Sequence, residues 1–208
     1  MVAAFGSKKA ITMTGVCLVL WFSLILVIDL LELFGPSNTD LYTYLAILIP
    51  VAIFAAGYIG VAGFRRFVLS LDLQLLTIVQ AWRVVGAAFF FLYAFDVLPR
   101  VWAFPAAFGD IAIGVTAPVF AMSLISGNPF PRVAFLVWNL LGILDFVVAA
   151  VLGLAIAESL GIRSGAISTQ PLTLLPLSLF PTFIVPFFVL VHLTALIQIV
   201  KRVDSRSN

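Results

Sequence analysis

Residues 133–157 read VAFLVWNLLGILDFVVAAVLGLAIA. The run is longer than the roughly 20 apolar residues that an α-helix needs to cross a hydrocarbon core. It is continuous, not alternating, which excludes a strand of a closed membrane barrel. Two side chains that lipid rejects, Asn139 and Asp145, stand inside it. Together these features predict a membrane-spanning helix that turns a polar face toward other protein.

Five more runs of this kind lie at about 11–34, 41–64, 75–95, 104–125 and 173–200. The chain of 208 residues is 63% hydrophobic and 10% charged, with a mean hydropathy of +1.24. A soluble domain carries about 25% charged residues. The expected fold is therefore all-α: one polytopic domain over residues 1–208, with six transmembrane helices and the lipid bilayer as its solvent. Lys8 and Lys9 precede the first run as in a signal peptide, but the run reaches Phe34 without a clear small-residue cleavage site, so it reads as a retained helix. A net charge of +2 gives no reason to expect a nucleic-acid partner. Cys17, the one cysteine, excludes a disulfide framework and a cysteine metal motif, and reads as a packing residue.

Turn chemistry separates the runs: Gly35-Pro36-Ser37-Asn38 after the first, Arg65-Arg66 after the second and Ser126-Gly127-Asn128-Pro129 after the fourth. Residues 67–74 are expected to lie along the interface before the third helix turns in. The longest connection, 158–171, follows the fifth helix. Six spans place both termini on one side, with Lys8, Lys9, Arg65, Arg66, Arg132, Lys201, Arg202 and Arg206. Only Arg100 and Arg163 fall on the other side, so both termini are expected in the cytoplasm. Trp21, Trp82, Trp102 and Trp138 read as belt or packing residues, with Trp102 an anchor at the outer interface. Gly57, Gly60 and Gly63 form a stripe that predicts close approach of a neighbouring helix. Such glycine-lined faces also allow a homo-oligomer.

At about 1.5 Å rise per residue, Arg83 lies roughly 12 Å inside the cytoplasmic boundary, Asn139 roughly 9 Å and His192 roughly 10 Å. Asp145 lies roughly 18 Å in, and Asp110 roughly 9 Å below the outer boundary. Asp29 and Glu32 sit near the outer end of the first helix, and Gln80 lies one turn before Arg83. Each charge at a helix centre costs about 2.5–3.5 kcal/mol on insertion scales, so these groups must face one another or water. Asn139, Gly142, Asp145, Ala149 and Gly153 share one helical face, and Arg83 is long enough to meet Asp145. Two readings compete for this set: a structural tie between helices, or a site or pathway formed by Asp29, Gln80, Arg83, Asp110, Asn139, Asp145 and His192. Pro50, Pro105, Pro118, Pro176, Pro181 and Pro186 add broken helices, which occur at transporter sites but also elsewhere.

Trp82-Arg83-Val84-Val85-Gly86 matches Trp138-Asn139-Leu140-Leu141-Gly142, and each is followed by a returning helix with Phe-Pro, at 104–105 and 180–181. The pattern suggests a duplicated helical hairpin, spans 3–4 and 5–6, that makes Arg83 and Asn139 equivalent. Gln80-Ala81-Trp82-Arg83, Phe108-Gly109-Asp110, the stretch from Trp138-Asn139 through Gly142 to Asp145-Phe146, and Pro181 through Pro186 to His192 resemble a group of small, uncharacterised bacterial multi-pass membrane proteins. The resemblance covers about residues 80–195 and leaves the first two spans unaccounted for. It implies a bacterial inner-membrane setting and carries no activity or catalytic residue.

The expected function is transport or conduction of a small solute, a cation or protons, with the acids binding or relaying a cation, Arg83 as gate or counter-ion and His192 exchanging protons with the cytoplasm. A second reading is a redox protein with His192 as one axial ligand of a haem or another cofactor. A third is a non-catalytic accessory or scaffold. No zincin, nucleophile-elbow or phosphate-loop motif is present, so an enzyme is the least expected class, and no metal ligand set is predicted.

Overall fold

The computed structural model describes residues 8–31, 39–126, 130–155 and 167–204. The regular elements among these residues are all helices, with no strand. Helices α1 (Lys8–Leu30) and α2 (Thr39–Gly60) are followed by a short α3 (Ala62–Ser70). The third apolar helix is composite: α4 (Leu73–Ile78), a 3-10 segment (Val79–Ala87) and α5 (Ala88–Ala94). Then come α6 (Arg100–Ser123), α7 (Arg132–Ala150) with a π-helical turn at Val151–Ala155, a short 3-10 turn at Gln170–Thr173, a second π-helical turn at Phe180–Ile184, and α8 (Val185–Asp204). Six helices among the described residues are long and apolar enough to cross a membrane: Thr12–Leu30, Leu41–Gly60, Leu73–Ala94, Arg100–Ser123, Arg132–Gly153 and Phe180–Lys201.

The second helix stops at Gly60, earlier than the expected residue 64, because the chain extends at Val61 (φ −116°, ψ 104°). Arg65 turns back and donates to the carbonyls of Tyr58 at 3.0 Å and Ile59 at 2.7 Å, satisfying acceptors that the break leaves open. The segment expected at the interface is thus in part the helix α3. Asp72 caps α4, accepting from the backbone N–H of Gln74 at 2.7 Å and of Leu75 at 3.0 Å. The sixth helix begins at Phe180 rather than near 173, because turns occupy Leu174–Ser178. The turn at 35–38, Glu32, residues 127–129, Arg163 with most of the fifth connection, and Arg206 lie outside the described residues.

Among the described residues no long helix packs on the Gly57–Gly63 stripe. A Cβ at Gly57 would meet the Phe64 ring at 3.1 Å, whereas at Gly60 or Gly63 it would meet nothing within 4 Å. Gly57 faces Phe64 at the bend into α3, and Gly60 and Gly63 face open space. Trp102 also departs from its expected place. It is buried, packs edge-on against Phe89 at 5.0 Å and donates from Nε1 to the Ala149 carbonyl at 2.9 Å. Its indole N–H needs an acceptor, and the carbonyl on the adjacent helix draws it inward.

Helix α6 lies between the 3-10 segment and α7, and α8 packs across α7, α4 and α2. One apolar cluster gathers Phe89, Leu98, Trp102, Ala103, Ala106 and Ala107. A second gathers Leu73, Phe135, Ala195 and Ile199 at the opposite end of the same helices. Arg83, Asp110, Asn139 and His192 are buried between the two clusters. Leu48, Ile53, Phe91, Val133 and Leu144 are among many large apolar side chains left exposed on the outward faces.

Candidate functional site

The site begins with the helix type of the third span. A 3-10 helix has about 3.0 residues per turn, so side chains three apart eclipse. Thr77, Gln80, Arg83, Gly86 and Phe89 are each three apart and each buried, while Trp82, Val84 and Val85 between them are exposed. An α-helix would fan these positions around the axis, and the 3-10 geometry gathers them into one inward row. Nine residues is long for this conformation, whose runs seldom exceed three or four.

Arg83, 3% exposed, is the hub. Its Nε donates to Asp110 Oδ1 on α6 at 2.7 Å, and its Nη2 donates to Asp145 Oδ2 on α7. Its Nη1 faces the Gly142 carbonyl at 3.2 Å and His192 Nε2 at 3.1 Å. The Phe146 ring covers the guanidinium, with Cζ 4.0 Å from the ring centroid. All three nitrogens of the planar fork are engaged, an arrangement that arginine offers and lysine does not.

The network fixes the state of the histidine. Arginine can only donate, so His192 Nε2 accepts. The ring proton is then on Nδ1, which donates to Asn139 Oδ1 at 2.9 Å. Asn139 Nδ2 donates in turn to the Phe135 carbonyl at 2.8 Å. His192 is a neutral ring whose two nitrogens are both committed, and it is 0% exposed. It presents no nitrogen to an axial position, so nothing in its geometry favours iron ligation.

Small residues make room for the network. A Cβ on Gly86 would collide with the Asp110 carboxylate, on Gly109 with Asp145, and on Gly142 with the His192 ring. In both halves of the Trp-x-x-x-Gly pattern, the glycine therefore receives the polar side chain of a later helix: Asp110 on Gly86 and His192 on Gly142.

Asp110, Asp145 and Arg83 lie on the wall of a cavity of about 1220 Å³. Gln80, Asn139 and His192 lie behind that wall, away from the space itself. Both amide atoms of Gln80, which is 1% exposed, lack a hydrogen-bond partner. Asp29 is separate from the arginine cluster but lines the same cavity. It accepts from Ser178 Oγ at 2.6 Å and interacts with Tyr42. Of the expected set, Arg83, Asp110, Asn139, Asp145 and His192 thus form one bonded group. Asp29 lines the same cavity without bonding to them, and Gln80, one turn of the 3-10 segment before Arg83, makes no side-chain bond to them. Tyr42, Ser178 and Phe146 belong to the site and were not legible from spacing. The recurrence of Thr77, Gln80, Arg83 and Gly86 every three residues within an apolar run was a signal the sequence carried.

No group of three or more His, Cys, Asp or Glu among the described residues is placed to hold a metal ion. No curated protein and no solved structure matches the chain. A family model described as "Domain of unknown function (DUF8737)" matches residues 41–200, from α2 through most of α8. That span holds every bonded member of the site except Asp29 and covers well over half of the sequence, so the chain belongs to the DUF8737 family.

Proposed function

We propose that this is an integral membrane protein of the bacterial inner membrane, with both termini cytoplasmic, that moves a small solute, a cation or protons through the central cavity. The outward apolar faces support membrane insertion, because soluble monomers rarely expose such continuous patches. The lysine and arginine asymmetry supports the orientation. One observation carries the functional reading: a single guanidinium is shared by Asp110 and Asp145 where both border a cavity. A tie between helices accounts for the bonds but needs no space beside them. Ionisable groups at such depth are costly, and a solute pathway is a reason to keep them.

Two acids on one arginine leave a carboxylate to spare. Binding a cation or a proton at Asp145 or Asp110 would loosen one arm of the fork while the other holds Arg83 in place. His192 and Asn139 would position Arg83 from behind rather than carry the proton. Spans 3–4 and 5–6 are read as a duplicated hairpin, supported by Arg83 and Asn139 meeting opposite nitrogens of one imidazole.

The test is flux in proteoliposomes holding the purified full chain, followed with an internal pH dye, labelled alkali cations and labelled organic amines. Movement above protein-free vesicles, lost in Asp145→Asn, is the expected outcome. Protein that remains folded and moves none of these would overturn the reading.

A further inference from the structure

The composition of the cavity wall narrows what fits in it. Three carboxylates line it, from Asp29, Asp110 and Asp145, against one basic side chain among the described lining residues, Arg83. Every nitrogen of that guanidinium is already bonded, so an anion entering the space would find no free donor fork and an excess of negative charge. Elsewhere the wall is largely aromatic and aliphatic, with Phe89, Trp102, Phe180, Phe183, Phe187 and Phe188 among its members.

A divalent inorganic cation is a poor match for this wall, where no three His, Cys, Asp or Glu among the described residues are grouped to hold a metal ion. It needs several oxygen ligands converging at about 2.0–2.6 Å, whereas here Asp29 and the Arg83-bound pair are separate and the surfaces near them are rings. A large cavity with aromatic walls and acidic corners suits a cation whose charge is spread over an apolar body. Ring faces attract such a cation, and the body fills space that drug-sized ligands occupy in sites of roughly 300–1,000 Å³.

The mouth points the same way. Leu30, Trp82, Val85 and Leu174 line the cavity and are also exposed on the apolar outer surface, Trp82 by 72%. The space therefore opens between α1–α2 and the 3-10 segment, toward what the preceding reading makes the bilayer, with the exposed Gln170 at its margin.

We infer that the cavity is a binding site for lipophilic organic cations, aromatic or quaternary amines and their like, which enter sideways from the membrane. The inference rests on the membrane-transport reading for its setting and adds the ligand class and the route.

The experiment pairs two ions of the same shape and opposite charge. Labelled tetraphenylphosphonium and labelled tetraphenylborate are each equilibrated with the detergent-purified full chain. Saturable binding of the phosphonium and none of the borate is expected. Asp29→Asn and Asp145→Asn should each weaken phosphonium binding about tenfold, equivalent to about 1.4 kcal/mol. Ala149→Trp, which fills the cavity and leaves every charge in place, should weaken it as much. Asp29 and Ala149 lie outside the arginine network, so these two variants keep the test decisive where Asp145→Asn fails to fold. Equal binding of both ions, no phosphonium binding, or binding untouched by Asp29→Asn and Ala149→Trp would each overturn the inference. Proton or alkali-cation flux without phosphonium binding would sink the ligand class and leave transport standing. Phosphonium binding without flux of any probe would do the reverse.

Discussion

Arg83 Nε stands 2.7 Å from Asp110 Oδ1, although the two residues belong to different helices and are 27 positions apart. The opposite arm of the same guanidinium reaches Asp145, 62 positions away. One side chain therefore ties the third, fourth and fifth long helices together and pairs charges that burial would otherwise oppose. Removing one partner from a buried ion pair strands the other, at a cost of about 3–5 kcal/mol. Arg83→Ala is expected to lower stability by about that amount, and Arg83→Lys by less, because lysine retains the charge but not the fork. Thermal unfolding in detergent measures both. Equal losses in the two variants would mean that fork geometry contributes nothing.

The glycines beneath the network give a sharper steric test. Gly142→Ala drives a methyl group into the His192 ring, and Gly86→Ala drives one into Asp110. Each is expected to destabilise by about 1–3 kcal/mol, the usual cost of overpacking. Gly60→Ala and Gly63→Ala meet open space, and as helical alanines they should be neutral or gain up to about 1 kcal/mol. The same unfolding measurement ranks all four, and a Gly142→Ala protein as stable as Gly60→Ala would contradict the packing described here.

His192 is the only histidine of the chain, so its ring-nitrogen signals belong to one residue and only Nδ1 and Nε2 must be told apart. The hydrogen-bond order from Arg83 through His192 to Asn139 requires the neutral ring with its proton on Nδ1. Solid-state nitrogen-15 spectra of the protein in lipid at pH 7 should show one protonated and one bare ring nitrogen, with Nδ1 the protonated one. A doubly protonated ring, or the opposite tautomer, would mean that Arg83 does not donate to it. Asn139→Asp offers a charged acceptor to the same proton and should move the Nδ1 signal while leaving Asp110 on Arg83.

The 3-10 segment predicts a distinctive periodicity. Spin labels placed singly from Ile78 to Phe89 in liposomes should show oxygen accessibility minima at Gln80, Arg83, Gly86 and Phe89, a repeat of about 3.0 residues. An ordinary α-helix would give about 3.6. Conversion to the α form shortens a nine-residue segment by about 4.5 Å, given rises of about 2.0 and 1.5 Å per residue, and swings Arg83 off its row. A loss of the three-residue pattern on adding a transported solute would identify this segment as the moving part.

The sequence by itself determined the class of the molecule and the identity of its polar residues. Continuous apolar runs of more than about 18 residues, without alternation, specify long helices, and six such helices are present among the described residues. The break chemistry then set nearly the observed boundaries from α4 to α7. It also showed that Arg83, Asn139 and His192 share a level, since rise per residue is a local property. What it could not decide was conformation and partnership. The third helix tightens to 3-10 because packing against α6 favours one inward row over the best local geometry. Trp102 and the Gly57 stripe have roles set by which neighbour arrives, and no local pattern specifies that. The joining of Asp110 to Arg83, the commitment of both His192 nitrogens and the cavity shared with Asp29 depend on side chains far apart in the chain. Only the tertiary structure brings those side chains within hydrogen-bonding reach.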